Sequence, residues 1–359
     1  MLAAKLPISQ TAILQNENGS PKLMEGVPLP SPKAGTVIVK TVAVALNPSD
    51  NKMGAAFPTP GSVVGMDFSG TVAFIPPGTT TDLRLGDRVC GMVHGSNPGD
   101  LTNGAFAEYV RARPEFLLPV PPTLSMEEAA TLGVALMTNL LALWEPSALG
   151  LAATADPDKP AEKPFPVLVY GGSTATGTIA LQLLRLSGLT PIAVCSPRNF
   201  DLARDRGAAA ALDYMRPDLV AEIQRLTGGK LRYVYDCIAD PETVAHCYAA
   251  IGRTGGRYAS LELVPEALRT RRAVRLKLVL AYEASGEDVP LSNGYETLGD
   301  LEKRALAERY IGVFRGLLDK GLLKTHPIQN LGGGLQRVLE GLKMLRSGAV
   351  SGQKLVVTM

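Results

Sequence analysis

Residues 167–177, VLVYGGSTATG, decide the fold. A short apolar run meets Gly171, Gly172, Ser173 and Thr174, and Ala175 and Thr176 then open a helical pattern. A buried strand, a tight turn and a helix start are the layout that dinucleotide sites use. Glycine lets the backbone approach a pyrophosphate, and the unpaired N–H groups of the helix start face it. A glycine-rich turn can equally do no more than bend a chain, so its surroundings have to decide.

Downstream, they do. The helical pattern places Ile179, Ala180, Leu183, Leu184 and Leu186 on one face and stops at Gly188. Strand patterns follow at 191–196, 210–214, 231–238 and 256–262, with a sixth near 276–282. Helical patterns lie between them at 200–207, at 217–229 with Pro217 at the start, and at 241–252. Such alternation predicts an α/β, doubly wound parallel sheet of the Rossmann kind. Two more helices are expected over 301–321 and 332–348, then a closing strand over 354–359.

Upstream the texture differs. TVIVKTVAVAL (36–46), VVGMDFSGTVAFIPPG (63–78) and RLGDRVCGMV (84–93) are β-branched runs broken by Pro and Gly. Glycines 65, 70, 86 and 91 inside them predict bulges and corners, hence a curled β-rich domain. SMEEAATLGVALMTNLLALWE (125–145) pairs Ser125 with Glu128 as a capping box and predicts one helix at the border between domains. The stretch 151–166, rich in Ala, Pro and charge, reads as a surface loop.

With 359 residues the chain exceeds one ordinary core, and its 46% hydrophobic and 19% charged residues describe a globular protein. A formal net charge of +2 gives no sign of a nucleic-acid or membrane partner. Cys90, Cys195, Cys237 and Cys247 are scattered, with no C-x-x-C pair, and read as reduced. The opening MLAAKLPISQTAILQ lacks a basic start followed by a long apolar core, so a cytoplasmic protein is expected.

ALNPSDNKMG (45–54), VVGMDFSGTV (63–72), LRLGDRVCG (83–91), GAFAEYV (104–110) and the Gly171 loop, in that order, resemble the medium-chain dehydrogenase/reductase superfamily. The resemblance covers nearly the whole chain. It implies a GroES-like catalytic domain from 1–134 and 305–359, a Rossmann NADPH-binding domain from 135–304, and a substrate cleft between them. Where zinc-dependent members carry Cys and then His-Glu, this chain has Leu46 to Asp50 and then Gly65, Met66 and Asp67. His94, His246 and His326 have no ligand spacing with a cysteine, and Asp67 and Asp87 in glycine-flanked turns read as caps of backbone N–H groups. No metal is expected, which points to the quinone reductase and enoyl reductase branch. There the loop usually has a further glycine where this chain has Thr174. Hydroxyls of Ser173, Thr174 and Thr176 are expected to replace part of what backbone proximity supplies. With IAVCSPRNFDLARDRGA and SGQKLVV, the chain is similar to the fungal trans-acting enoyl reductases of polyketide synthesis.

The second strand ends in Ser196, Pro197, Arg198 and Asn199. No carboxylate there repels a 2′-phosphate, Arg198 can pair with one, and the expected cofactor is NADPH. By the resemblance, Tyr214 packs near the adenine or ribose phosphate. Ser49, Asp50, Asn51 and Lys52 wall the nicotinamide ribose, and Leu261, Glu262, Val350 and Ser351 enclose the nicotinamide. Lys52 and Thr138 are the catalytic candidates. Thr138, Asn139, Leu140, Leu141, Ala142, Leu143, Trp144 and Glu145, with Ala281, Tyr282, Glu283, Ala284 and Ser285, are expected to line the acyl channel. The partner implied is the acidic acyl carrier domain of a polyketide synthase or of a hybrid with a peptide synthetase. The basic run Arg269, Arg271, Arg272, Arg275 and Lys277 is its expected docking surface. The polar insertion at 284–300 predicts a monomer. Two readings stay open beside this one: a quinone or small-enone reductase acting on free substrate, and an NADPH-binding interaction protein without activity.

Overall fold

The computed structural model describes residues 6–359. The first five residues, part of the opening stretch and of the first expected domain, lie outside the described residues. The alternation after residue 165 becomes a six-stranded parallel sheet. Its order is Ala210–Leu212, Thr190–Val194, Pro166–Tyr170, Tyr233–Asp236, Gly256–Ser260, Val274–Leu278. Alternate residues of each central strand enter different cores. Val167, Val169, Ala193 and Tyr235 lie in one, and Leu168, Tyr170, Ile192 and Val234 in the other. Helices cover both faces, so the strands read as continuous apolar runs. The strand order reverses between Pro166–Tyr170 and Tyr233–Asp236, and the crevice beyond their carboxyl ends is where such sheets bind ligands.

The β-rich region forms a seven-stranded sheet around Val37–Ala45, which pairs with Asp67–Phe74, Tyr109–Ala112 and the carboxy-terminal Lys354–Thr358. Two register shifts in Val37–Ala45 let one strand serve three partners. At Gly70 a Cβ would lie 2.2 Å from the Lys40 carbonyl oxygen, so only glycine admits this approach.

The border helix is two helices, not one. Ser125 Oγ accepts the Glu128 N–H at 3.1 Å, as the capping box predicts, but this helix ends after Met126–Ala129 and a second runs Gly133–Trp144. The cause is buried: Asp67 Oδ1 accepts the Val134 N–H at 2.6 Å, so the second helix begins on a fixed carboxylate. Met126–Trp144 has the length and hydropathy of a candidate membrane span, yet most of it is buried inside the protein. Trp144 stacks on Tyr310 of Leu301–Asp319 with centroids 4.1 Å apart. The expected domain divisions at 134/135 and 304/305 fall inside these two helices. Likewise Pro217 precedes the Asp218 cap instead of opening the helix Leu219–Thr227.

Candidate active site

Beyond the carboxyl ends of the parallel strands lies a cleft of about 550 Å³ between the two sheets. One wall is the turn at 173–176. Thr174 caps the following helix: its hydroxyl donates to the Gly171 carbonyl at 2.8 Å and accepts the Gly177 N–H at 2.9 Å. The Ala175 and Thr176 N–H groups, first in the helix, find no acceptor among the described residues, and Ser173 lines the same wall. Asn199 Nδ2 ties this turn to the returning segment, donating to Ser173 Oγ at 3.2 Å and Ser351 Oγ at 3.0 Å. Orphan donors at the positive end of a 12-residue helix suit a pyrophosphate.

The opposite wall is the helix Pro48–Ala56. Lys52 reaches across the cleft to an ion pair with Glu262, which also accepts a hydrogen bond from Tyr295. Burial pushes Glu262 up, but the bonds from Lys52 and Tyr295 prevail and hold its carboxyl below the usual range. Tyr295 meets Phe57 edge-on at 5.4 Å, so the 284–300 insertion braces this wall.

Beneath the cleft floor sits a buried polar network. Lys354 Nζ donates to Asp67 Oδ2 at 2.6 Å and Asn47 Oδ1 at 2.7 Å. Asn47 Nδ2 donates to Asp67 Oδ2 at 2.9 Å, and its backbone N–H donates to Asp50 Oδ2 at 2.7 Å. Burial pushes Asp50 up to about 8, so it is largely protonated at neutral pH. His326, also on the cleft, bonds Thr178 Oγ1 through Nδ1 at 2.9 Å, and burial followed by the charges of Lys354 and Arg206 pushes it down to about 3.

Residues 33–122 match the alcohol dehydrogenase GroES-like domain family and residues 175–280 the zinc-binding dehydrogenase family. A trans-enoyl reductase of Talaromyces wortmannii is 48% identical, covering 97% of both chains. The chain belongs to the medium-chain dehydrogenase/reductase superfamily, among the trans-enoyl reductases. A trans-enoyl reductase of Gibberella zeae is 46% identical over 98% of this chain and 97% of its own. The solved quinone oxidoreductase of Coxiella burnetii has the same fold, with TM-score 0.71 and 23% identity over 98% of this chain and 99% of that one. Zinc does not fit the buried oxygens of this trans-enoyl reductase's cleft floor: the Lys354 ammonium already lies on Asn47 and Asp67.

The reductase brings together Ser49, Lys52, Thr138, Ser173, Thr174, Ala175, Thr176, Leu261, Glu262, Ala281, Tyr282, Val350 and Ser351 along the cleft. Other expected site residues stand elsewhere. Gly171 and Gly172 shape the turn from behind, Gly171 at φ +76°. Asp50 is buried beneath the wall, and Asn51 is spent on the Leu342 carbonyl at 2.9 Å. Ser196, Pro197, Arg198 and Tyr214 lie beyond the second strand, outside the cleft, where Ser196 Oγ donates to Tyr214 Oη at 3.4 Å. The Thr174 hydroxyl serves the helix cap, so the phosphate role expected of it is corrected. Thr138 Oγ1 donates to the Val134 carbonyl at 2.7 Å while facing the cleft.

Asn139, Leu140, Leu141, Ala142, Leu143, Trp144 and Glu145 do not line either cavity, which corrects the expected acyl channel. Asn139 ties its helix to the Thr176 carbonyl at 3.0 Å, Leu140 to Trp144 are core, and Glu145 caps the turn at Ser147 and Ala148. Glu283 is buried against Lys303, whereas Ala284 and Ser285 line a second cavity of about 690 Å³. Two arginines of the basic run have structural partners, while Arg272 and Arg275 are exposed. Arg271 donates to the carbonyls of Tyr248, Ile251 and Gly252, closing the helix Pro241–Ala250, and Arg269 donates to that of Val264. That helix end lies at the amino ends of the strands, opposite the cleft. The sequence reading missed His326, Lys354 and Asn47 as cleft residues. Lys354 had a signal, a lysine opening an otherwise apolar strand.

Proposed function

We propose that this protein is a trans-acting enoyl reductase that uses NADPH to reduce the α,β-unsaturated thioester of a polyketide chain. The chain is carried on the acyl carrier domain of a partner polyketide synthase or of its hybrid with a peptide synthetase. Family membership makes it an oxidoreductase acting on C=C bonds. The observation that carries the fuller reading is one cleft lined by the unpaired helix start at Ala175 and Thr176 and by Lys52 and Thr138, with a second cavity that shares Ala281 and Tyr282.

Bound NADPH would supply the hydride for the β-carbon, and a proton drawn ultimately from solvent would complete the reduction at the α-carbon. The Ala175 and Thr176 N–H groups and Ser173 would hold its pyrophosphate, and Arg198 with Ser196 its 2′-phosphate, flanked by Tyr214. Leu261, Glu262, Val350 and Ser351 exclude water around its reactive end. Lys52 would face the thioester oxygen as charge builds on it during reduction, and a fixed ammonium there would lower the barrier. The low-lying Glu262 carboxyl keeps that ammonium in place. Thr138 already donates to its own helix, so its hydroxyl meets the substrate as an acceptor. The protein is proposed to be a cytoplasmic monomer, and sedimentation as a dimer would overturn the monomeric state.

The test is NADPH oxidation by the purified protein with an enoyl chain loaded on the synthase's carrier domain. Reduction of that chain is expected, and turnover of simple quinones at matching rates would favour a reductase of free substrates. No oxidation with any enoyl thioester in the presence of the synthase would leave only an interaction protein.

A further inference from the structure

The two cavities share Ala281 and Tyr282 in their walls. Tyr282 borders both, and its ring lies on that of His94 with centroids 3.6 Å apart and planes at 14°. His94 borders only the outer cavity and Met66 only the cleft, and Tyr282 Oη donates to Met66 Sδ at 2.8 Å. These side chains come from separate segments and close against each other at this shared wall. The backbones behind them are fixed. Glu283, next to Tyr282, is buried with Lys303 and has Lys277 3.7 Å away. Gly95, next to His94, sits so close to Gly65 that a Cβ would lie 2.1 Å from the Gly65 carbonyl oxygen. Any opening is therefore a movement of the two rings.

What holds the rings shut is weak. A thioether is a poor acceptor, and His94 Nε2 is buried without a hydrogen-bond partner among the described residues, so parting the rings lets it reach water. Burial pushes His94 down to about 3, so the ring is neutral at pH 7 and no charge moves when it turns. Beyond the rings, Met92, Phe116, Met137 and Ala284 give the outer cavity an apolar side, facing a polar side that includes Asn97, Asp100, Asn103, Arg111, Arg113 and Asp288. An aliphatic chain fits against that apolar side.

We propose that Tyr282 and His94 form a movable partition that sets which acyl chains the enzyme accepts. Short α,β-unsaturated acyl groups are held in the cleft alone, and longer chains extend into the outer cavity when the rings part. The proposal rests on the enoyl reductase reading above.

The experiment compares crotonyl-pantetheine with trans-2-dodecenoyl-pantetheine as substrates, with NADPH, for the parent protein, Tyr282→Ala, His94→Ala and Tyr282→Trp. Calorimetry with saturated butyryl- and lauroyl-pantetheine measures the same preference without chemistry. Both alanine variants are expected to raise the long-to-short ratio of kcat/KM, and of affinity, about tenfold, and Tyr282→Trp to lower it. Ratios that stay within about twofold across all three variants overturn the partition. If the parent oxidises no NADPH with either thioester while the affinity ratios move as expected, the reductase reading fails and the partition stands. Because enlargement and truncation are paired at Tyr282, one misfolded variant leaves the other two to decide.

Discussion

Replacing Lys354 by Met tests whether the buried network beneath the cleft holds the catalytic wall. Lys354 and Asp67 side chains are 4% and 0% exposed, and the ammonium lies 2.6 Å from Asp67 Oδ2. Without it, the Asp67 carboxylate keeps, among the described residues, the Val134 N–H and Asn47 Nδ2 as donors. Stranding one member of a buried pair costs about 3–5 kcal/mol. With unfolding entropy of about 2.1 cal/mol/K per residue over this length, the melting temperature should fall by ~4–7 °C. Adding Asp67→Asn removes the stranded charge, and the double variant should recover at least about half of the loss. The same network anchors Asn47, the cap of the helix that carries Ser49 and Lys52, so kcat should fall more in Lys354→Met than in the double variant. Differential scanning calorimetry with steady-state kinetics reads both. A drop below ~1 °C for Lys354→Met, or a double variant whose loss is the sum of the single ones, refutes the reasoning.

Arg198→Glu should lower the NADPH-to-NADH ratio of kcat/KM about 10–100-fold, the worth of a charge-assisted contact to a phosphate, and an unchanged ratio would remove Arg198 from the cofactor site. Asp50, raised by burial to about 8, binds its proton in the folded state at pH values where the unfolded chain has released it. Its contribution to stability is therefore present below the unfolded value and lost as pH rises through the folded one, at up to ~1.4 kcal/mol per pH unit between about pH 4 and 8. Urea unfolding of Asp50→Asn should lack that slope between about pH 6 and 8, and identical profiles for variant and parent would contradict the assignment.

What the sequence made legible is what short-range pattern encodes. The strand and helix order from 166 onward, the Ser125 cap and the turn at Gly171 each depend on residues within a few positions of one another. The helix Gly133–Trp144 shows the limit of periodicity. It is apolar on nearly every face, so nothing in its spacing separates Met137 and Thr138, which face cavities, from Leu140 and Leu143, which face core. Arg271 shows another limit: in a charge run it reads as part of a docking surface, because the carbonyls it closes belong to a helix some 20 residues earlier. The polar network had a partial signature. Asp67 stands in VVGMDFSG and Lys354 in SGQKLVV, each a lone charge beside apolar strand residues. Taken one at a time, an aspartate there reads as a turn cap and a lysine as a strand end. A charge placed on a buried strand needs a partner, however, and two such anomalies of opposite sign satisfy each other. Pairing them across 287 residues puts the carboxy-terminal strand beside Val37–Ala45 and Asp67–Phe74. That pairing closes the cleft floor and sets the Lys354 ammonium on the buried oxygens of Asp67 and Asn47.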